Sequence, residues 1–150
     1  MTLEAEVLGK FDHEGDANKL VYSPLATPHT FHATRRYALE IEGDEEAARA
    51  FVERTLVEEV SQHVEFGPEP AIKGYSFILD YGFKPGALDL EREMILNYHR
   101  GIGDAKFQLK KLTITQRLYL FAEAGKASPD RFVRDIVNPA IHRHRVTSAA

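Results

Sequence analysis

The chain has 150 residues, 43% of them hydrophobic and 28% charged, with a formal net charge of -4. That balance suits one globular domain or two very small ones rather than a disordered chain, and the acidic sign argues against nucleic acid as a partner. With no cysteine there is neither a disulfide nor a zinc-thiolate site. No apolar run is long enough to span a membrane, and the N-terminus alternates like a strand rather than a signal peptide, so the expected compartment is the cytoplasm.

Leu3 to Phe11 alternates apolar residues with glutamates, the pattern of a half-buried strand. Asp12 to Thr34 gives no clear periodicity: Pro24 and Pro28 interrupt it, and it holds His13, His29 and His32. Arg35 to Glu42 reads as a strand with Tyr37, Leu39 and Ile41 on one face. Asp44 is placed to cap a helix whose apolar face runs through Ala47, Ala48, Phe51, Val52, Thr55, Leu56 and Val60. Val64-Glu65-Phe66 suggests a short returning strand. Gly67-Pro68-Glu69-Pro70 then suits neither a helix nor a central strand and marks a linker.

The second half repeats this order. Tyr75 to Phe83 is a strand, Lys84-Pro85-Gly86 a turn, and Asp89 to Arg100 a helix with Gly101 and Gly103 as C-cap candidates. Lys106 to Phe121 is too long for one ordinary strand, so two strands are expected, turning near Thr115-Gln116. Ser128-Pro129 starts a last helix, expected to run to Ile141 through Phe132, Val133, Ile136 and Val137. The halves align at one offset: Thr34-Arg35-Arg36 on Thr115-Gln116-Arg117, Phe51-Val52 on Phe132-Val133, Val60 on Ile141, and His63 on His144. Duplication of one small unit accounts for this. The expected fold is α+β: two ferredoxin-like β-α-β-β-α units, antiparallel sheets with helices on one face. The units would be residues 1–66, with the first helix short or absent, and 75–150, joined by a linker over 67–74.

The strand entering Phe83-Lys84-Pro85-Gly86-Ala87-Leu88-Asp89, and the helix Arg131 to Asn138-Pro139-Ala140-Ile141, carry a resemblance. Over residues 76–146 the chain resembles PurS, the small subunit of phosphoribosylformylglycinamidine synthase, as a divergent tandem repeat. Lys84, Pro85, Gly86 and Asp89 match the family's K-P-G-x-x-D-P-x-G segment. Leu90 stands where proline is usual, Arg92 where glycine is usual, and Thr115-Gln116 where the hairpin often carries Gly-Lys. The first half keeps an Asp12-x-Glu14-Gly15 start. The resemblance implies a non-catalytic assembly subunit of purine biosynthesis with no cofactor. It would bridge a synthetase that uses ATP and formylglycinamide ribonucleotide to a glutaminase that supplies ammonia, and it would form a symmetric homo-oligomer. Interface candidates are Lys84, Asp89, Arg117, Asn138 and the tail His142-Arg143-His144-Arg145.

Two other readings come from the residues themselves. Arg35, Arg36, Arg117, Arg143 and Arg145 would gather into an anion site if the halves packed together, which suits a regulatory module binding phosphorylated metabolites or amino acids. The pairs His29/His32 and His142/His144 suggest a small His-dependent enzyme or a metal protein, with His142 and His144 on one side of a strand. Against the metal, Arg143 and Arg145 flank that pair and repel a cation.

Overall fold

A computed structural model of the chain describes residues 1–10 and 14–149. Its elements are β1 (Thr2–Gly9), β2 (Gly15–Asp16), a 3-10 turn (Ala17–Leu20), β3 (His29–Gly43), α1 (Glu45–Thr55), β4 (Gln62–Phe66), β5 (Phe77–Phe83), α2 (Leu90–Arg100), β6 (Phe107–Ala122), α3 (Pro129–Ile136) and β7 (His142–Ser148). The protein is of mixed α+β class. Its antiparallel sheet has 7 strands in the order β4-β1-β3-β6-β5-β7, with β2 paired to β3 beside that path. No helix among the described residues is long and apolar enough to cross a membrane.

Two compact units emerge, and each takes segments from both halves of the sequence. One comprises Met1–Phe11, Arg35–Glu69 and Leu88–Ile114; the other comprises Asp12–Thr34, Pro70–Ala87 and Thr115–Ala150. The long strands β3 and β6 therefore contribute one end to each unit.

In unit 1 the core holds Leu3, Ala5 and Val7 of β1, Tyr37, Leu39 and Ile41 of β3, and Leu112 and Ile114 of β6. It is closed by Ala48, Phe51 and Val52 of α1 and Ile95 of α2. The alternation of β1 and β3 selects one face, and the pairing Leu3↔Leu39, Ala5↔Tyr37 sets it in register. Asp44 starts α1 by accepting from the Glu46 and Ala47 N–H groups at 2.9 and 3.4 Å. Gly43 before it has φ 113°, and a Cβ there would lie 2.7 Å from the Lys106 carbonyl oxygen, so only glycine fits.

In unit 2 the core is Phe77 and Leu79 of β5, Leu118 and Leu120 of β6, Phe132 and Val137 around α3, and Ala17 of the 3-10 turn. The Phe132 ring meets those of His29 and Phe77 at centroid distances of 5.5 and 5.8 Å. The weakly patterned stretch before Thr34 supplies β2, the four-residue 3-10 turn and the first part of β3. Asp12 and His13 lie outside the described residues.

Two expectations need correction. The hairpin at Thr115-Gln116 does not form: β6 is a single strand of 16 residues, and Gln116 and Arg117 pair with Tyr81 and Asp80 of β5. Neither residue favours the positive φ of a tight hairpin turn, and Thr113-Ile114-Thr115 prefers extended backbone. The core-facing set shifts from Phe107 and Leu109 to Leu112, Ile114, Leu118 and Leu120. The exposed pair Lys110-Lys111 falls where that alternation changes parity. The second half therefore runs β-α-β-α-β.

The last helix also stops early. α3 ends at Ile136, Val137 is already extended, and Ile141 is exposed rather than on a helix face. Pro139 disfavours helical backbone at Asn138, which explains the stop.

The turns after α1 and α3 use the same set of hydrogen bonds, and they match Ser61, not Val60, with Ile141. The Glu58 carbonyl accepts from Ser61 and Gln62 N–H, and the Asn138 carbonyl accepts from Ile141 and His142 N–H. Gln62 Oε1 accepts from the Glu58 N–H at 2.9 Å, and His142 Nδ1 accepts from the Asn138 N–H at 3.0 Å. The carbonyls of Ser61 and Ile141 then accept from Lys10 and Lys84.

Candidate functional site

α2 lines a concave surface of unit 1. Asp89, buried at its start, accepts from the Arg92 N–H at 3.1 Å and holds the first turn. The turn before it contains Gly86 at φ 89°, and the Ala87 N–H donates to the Lys84 carbonyl. That geometry fixes where α2 begins and so where Glu91, Met94 and Tyr98 fall.

A cleft of about 390 Å³ lies along this helix, lined by Arg35 and Tyr37 of β3, Glu91, Met94, Ile95 and Tyr98 of α2, and Val7, Thr55, Leu56 and Gln62. Thr55 and Tyr98 also border a second cleft of about 480 Å³ lined by Phe51, Arg54 and Ile102. Arg35 donates through both terminal nitrogens to the Glu91 carboxylate, a fork-to-fork pair. The Glu91 hydrogen bond raises the Arg35 pKa above its ordinary value. Burial raises that of the Tyr37 phenol, so it stays protonated at neutral pH. The lining contains no serine, cysteine or histidine to serve as a nucleophile or imidazole base. Its floor is apolar, with a paired charge at the rim, which suits insertion of apolar groups.

The expected site residues fall into different settings. Arg36 is buried on the other face of β3. It donates to Glu6 at 2.9 Å and to the Gly67 carbonyl at 2.9 Å, with Glu4 at 3.7 Å. Arg117 grips Asp80 with two nitrogens at 2.7 and 2.9 Å. Both guanidinium groups are thus already bound to carboxylates. Next to Arg117, the Tyr119 hydroxyl accepts from the Ala71 N–H at 3.1 Å, so the linker is tied down there.

Arg143, His144 and Arg145 are exposed on β7, an end strand of the sheet order. Lys84 and Asn138 are exposed, and both shape turns. Asn138 Oδ1 also accepts from the Ala140 N–H at 3.0 Å.

Of the candidate histidines, His29, His32 and His142 are engaged in packing, while His144 is exposed. His142 lies against Tyr81 and Phe83, with centroids at 5.3 and 5.5 Å, while its Nδ1 closes the turn. His29 is buried, its Nδ1 2.8 Å from the Thr27 carbonyl oxygen, while His32 stands three residues on, on the other side of β3, against Phe121. Among the described residues no group of three or more His, Asp or Glu is arranged to hold a metal ion.

Tyr37, Glu91, Met94 and Tyr98 were not singled out by their sequence context. The available signal was on α2: Leu90, Met94 and Tyr98 recur every fourth residue, a second apolar line beside the one that Ile95 gives to the core. No family model, no curated protein and no solved structure matches the chain.

Proposed function

We propose that this chain is a non-catalytic assembly subunit of the phosphoribosylformylglycinamidine synthase type, bridging an ATP-dependent synthetase and a glutaminase in purine biosynthesis. The observation that carries the reading is the Lys84 to Asp89 segment. It stands between β5 and α2, with Gly86 at positive φ and Asp89 capping the helix, which is the setting its resemblance to PurS calls for. Further support comes from the interleaved build. Unit 1 holds β4, β1, one end each of β3 and β6, and α1 with α2; unit 2 holds the other ends, β5, β7, α3 and the 3-10 turn. On this reading each is a ferredoxin-like unit of the split β-α-β kind, two copies fused in one chain. Paired arginines on the sheet and an apolar cleft on α2 suit protein contact better than turnover.

The test is a tagged pull-down from the source organism's lysate with glutamine and ADP present, read by mass spectrometry. Recovery of both the synthetase and the glutaminase supports the reading; their absence from the eluate while both are detectable in the lysate refutes it.

The Arg35–Tyr37 cleft favours a second reading, a regulatory module for a small ligand. A ligand bound only by the folded state raises the melting temperature. A thermal-shift screen of phosphorylated metabolites and amino acids is expected to give a hit on this reading, and Arg35→Met is expected to abolish it.

A further inference from the structure

β7 stands at one end of the sheet order and, among the described residues, pairs with β5 alone, from Phe77↔Ser148 to Phe83↔His142. Just beyond the two ends of that register, the Lys84 N–H donates to the Ile141 carbonyl and the Ala149 N–H to the Ser76 carbonyl. In an antiparallel ladder, hydrogen-bonded pairs alternate with unbonded ones. Arg143, Arg145 and Thr147 therefore turn their backbone groups toward β5, while His144, Val146 and Ser148 turn theirs to the open edge. The His142 N–H is taken by the Asn138 carbonyl, so the free stretch begins at the His142 carbonyl. An edge of this kind presents the N–H and C=O groups that a further strand needs.

Side chains decide which strand that edge accepts. Alternate residues of a strand share a face. Arg143 and Arg145 lie on one face of β7, both exposed, and neither has an ion-pair partner among the described residues. Asp80 stands opposite Arg145 but is already gripped by Arg117. On the other face, Val146 is partly buried against the core of unit 2. We propose that the β7 edge is a docking site for an extended segment of another protein in which acidic residues alternate with apolar ones. Its backbone continues the ladder at His144 and Val146, its carboxylates lie beside Arg143 and Arg145, and its apolar residues extend the face of Val146. Charge selects this occupant. A second β7 laid antiparallel about His144 sets Arg143 against Arg145, and a parallel one in register sets each arginine beside its own kind, which destabilises the pair. A neutral strand gains the ladder and leaves both guanidinium groups unmatched, which is how charged edges resist indiscriminate pairing. An acidic strand turns the same two charges into attraction.

The inference goes beyond the purine-complex reading and does not rest on it, because it is tested on the purified full chain. The probe is a fluorescent synthetic peptide alternating glutamate and valine, read by anisotropy at low salt. Saturable binding is expected, weakened by added salt, and a peptide with lysine in place of glutamate is expected not to bind. The same glutamate peptide N-methylated on alternate residues keeps its charge and loses the ladder, so it is expected not to bind either. Arg143→Glu with Arg145→Glu, checked by circular dichroism for an intact fold, is expected to weaken the glutamate peptide roughly tenfold or more and to admit the lysine peptide. Arg143→Gln with Arg145→Gln serves if the reversed chain does not fold, and is expected to weaken the glutamate peptide alone. Hydrogen exchange is expected to slow at the His144 and Val146 N–H groups when the glutamate peptide is present. Absence of saturable binding, equal binding of the N-methylated peptide, or affinity indifferent to the arginine substitutions overturns the proposal. So does tighter binding of a single-stranded oligothymidylate than of the peptide, which would make the edge a nucleic-acid contact.

Discussion

Glu6 and Arg36 offer the sharpest test of how unit 1 is held together. Their side chains are 1% and 9% exposed on the sheet face away from the core, 2.9 Å apart. At an effective dielectric near 20, unit charges with centres about 4 Å apart attract by about 4 kcal/mol. That attraction offsets the cost of desolvating both groups, so the net worth of the pair is small, while the cost of breaking it is not. Glu6→Leu leaves the guanidinium with the Gly67 carbonyl and the half-exposed Glu4, 3.7 Å away. Those partners compensate in part, so the expected loss is about 3 kcal/mol, the lower end for an orphaned buried charge. Replacing both residues by leucine is expected to recover most of it. Urea unfolding followed by circular dichroism measures all three chains. Glu6→Leu within about 0.5 kcal/mol of wild type, the range of a neutral surface change, would refute the reasoning and mean that Arg36 swings out to water.

Asp89→Ala is expected to cost about 1 kcal/mol through loss of the α2 cap, and Asn at the same position to restore most of it, both read by urea unfolding. Phe132→Ala is expected to cost about 3 to 5 kcal/mol, with hydrogen exchange rising in β5 and α3, because the ring is fully buried between His29 and Phe77. The Tyr22 N–H, bound to the Asp135 carboxylate, and then Arg134 lower the Asp135 pKa. A depressed carboxylate stabilises the fold above its unfolded pKa of about 3.9, and that contribution disappears as pH falls through the folded value. Asp135→Asn is therefore expected to lose less stability than wild type between pH 5 and pH 2, measured by thermal melts across that range.

Much of the local structure was legible. Asp44 and Asp89 announced their helices because a carboxylate before an apolar-periodic run meets free N–H groups in few other ways. The alternation of Leu3, Ala5 and Val7, and of Tyr37, Leu39 and Ile41, named the inner face correctly. Failures came where tertiary context outweighed local signals. β6 exceeds an ordinary strand because it serves both units, which no window of its own sequence records. The shift in parity at Lys110-Lys111 hid its continuity. Ile141 matched a helical face, but Asn138-Pro139 ended α3 first. The arginines were recognisable as anion ligands, yet the anions that Arg36 and Arg117 hold are the chain's own Glu6 and Asp80. Those partners are distant in sequence, so only register reveals them.

Reconstitution tests the central claim most directly. The synthetase and glutaminase of the source organism are purified, and glutamine-dependent amidation of formylglycinamide ribonucleotide is measured with and without this chain. An assembly subunit is expected to be required for glutamine-driven turnover while leaving ammonia-driven turnover by the synthetase intact. Full glutamine-driven activity without the chain, or no change when it is added, contradicts the assembly role.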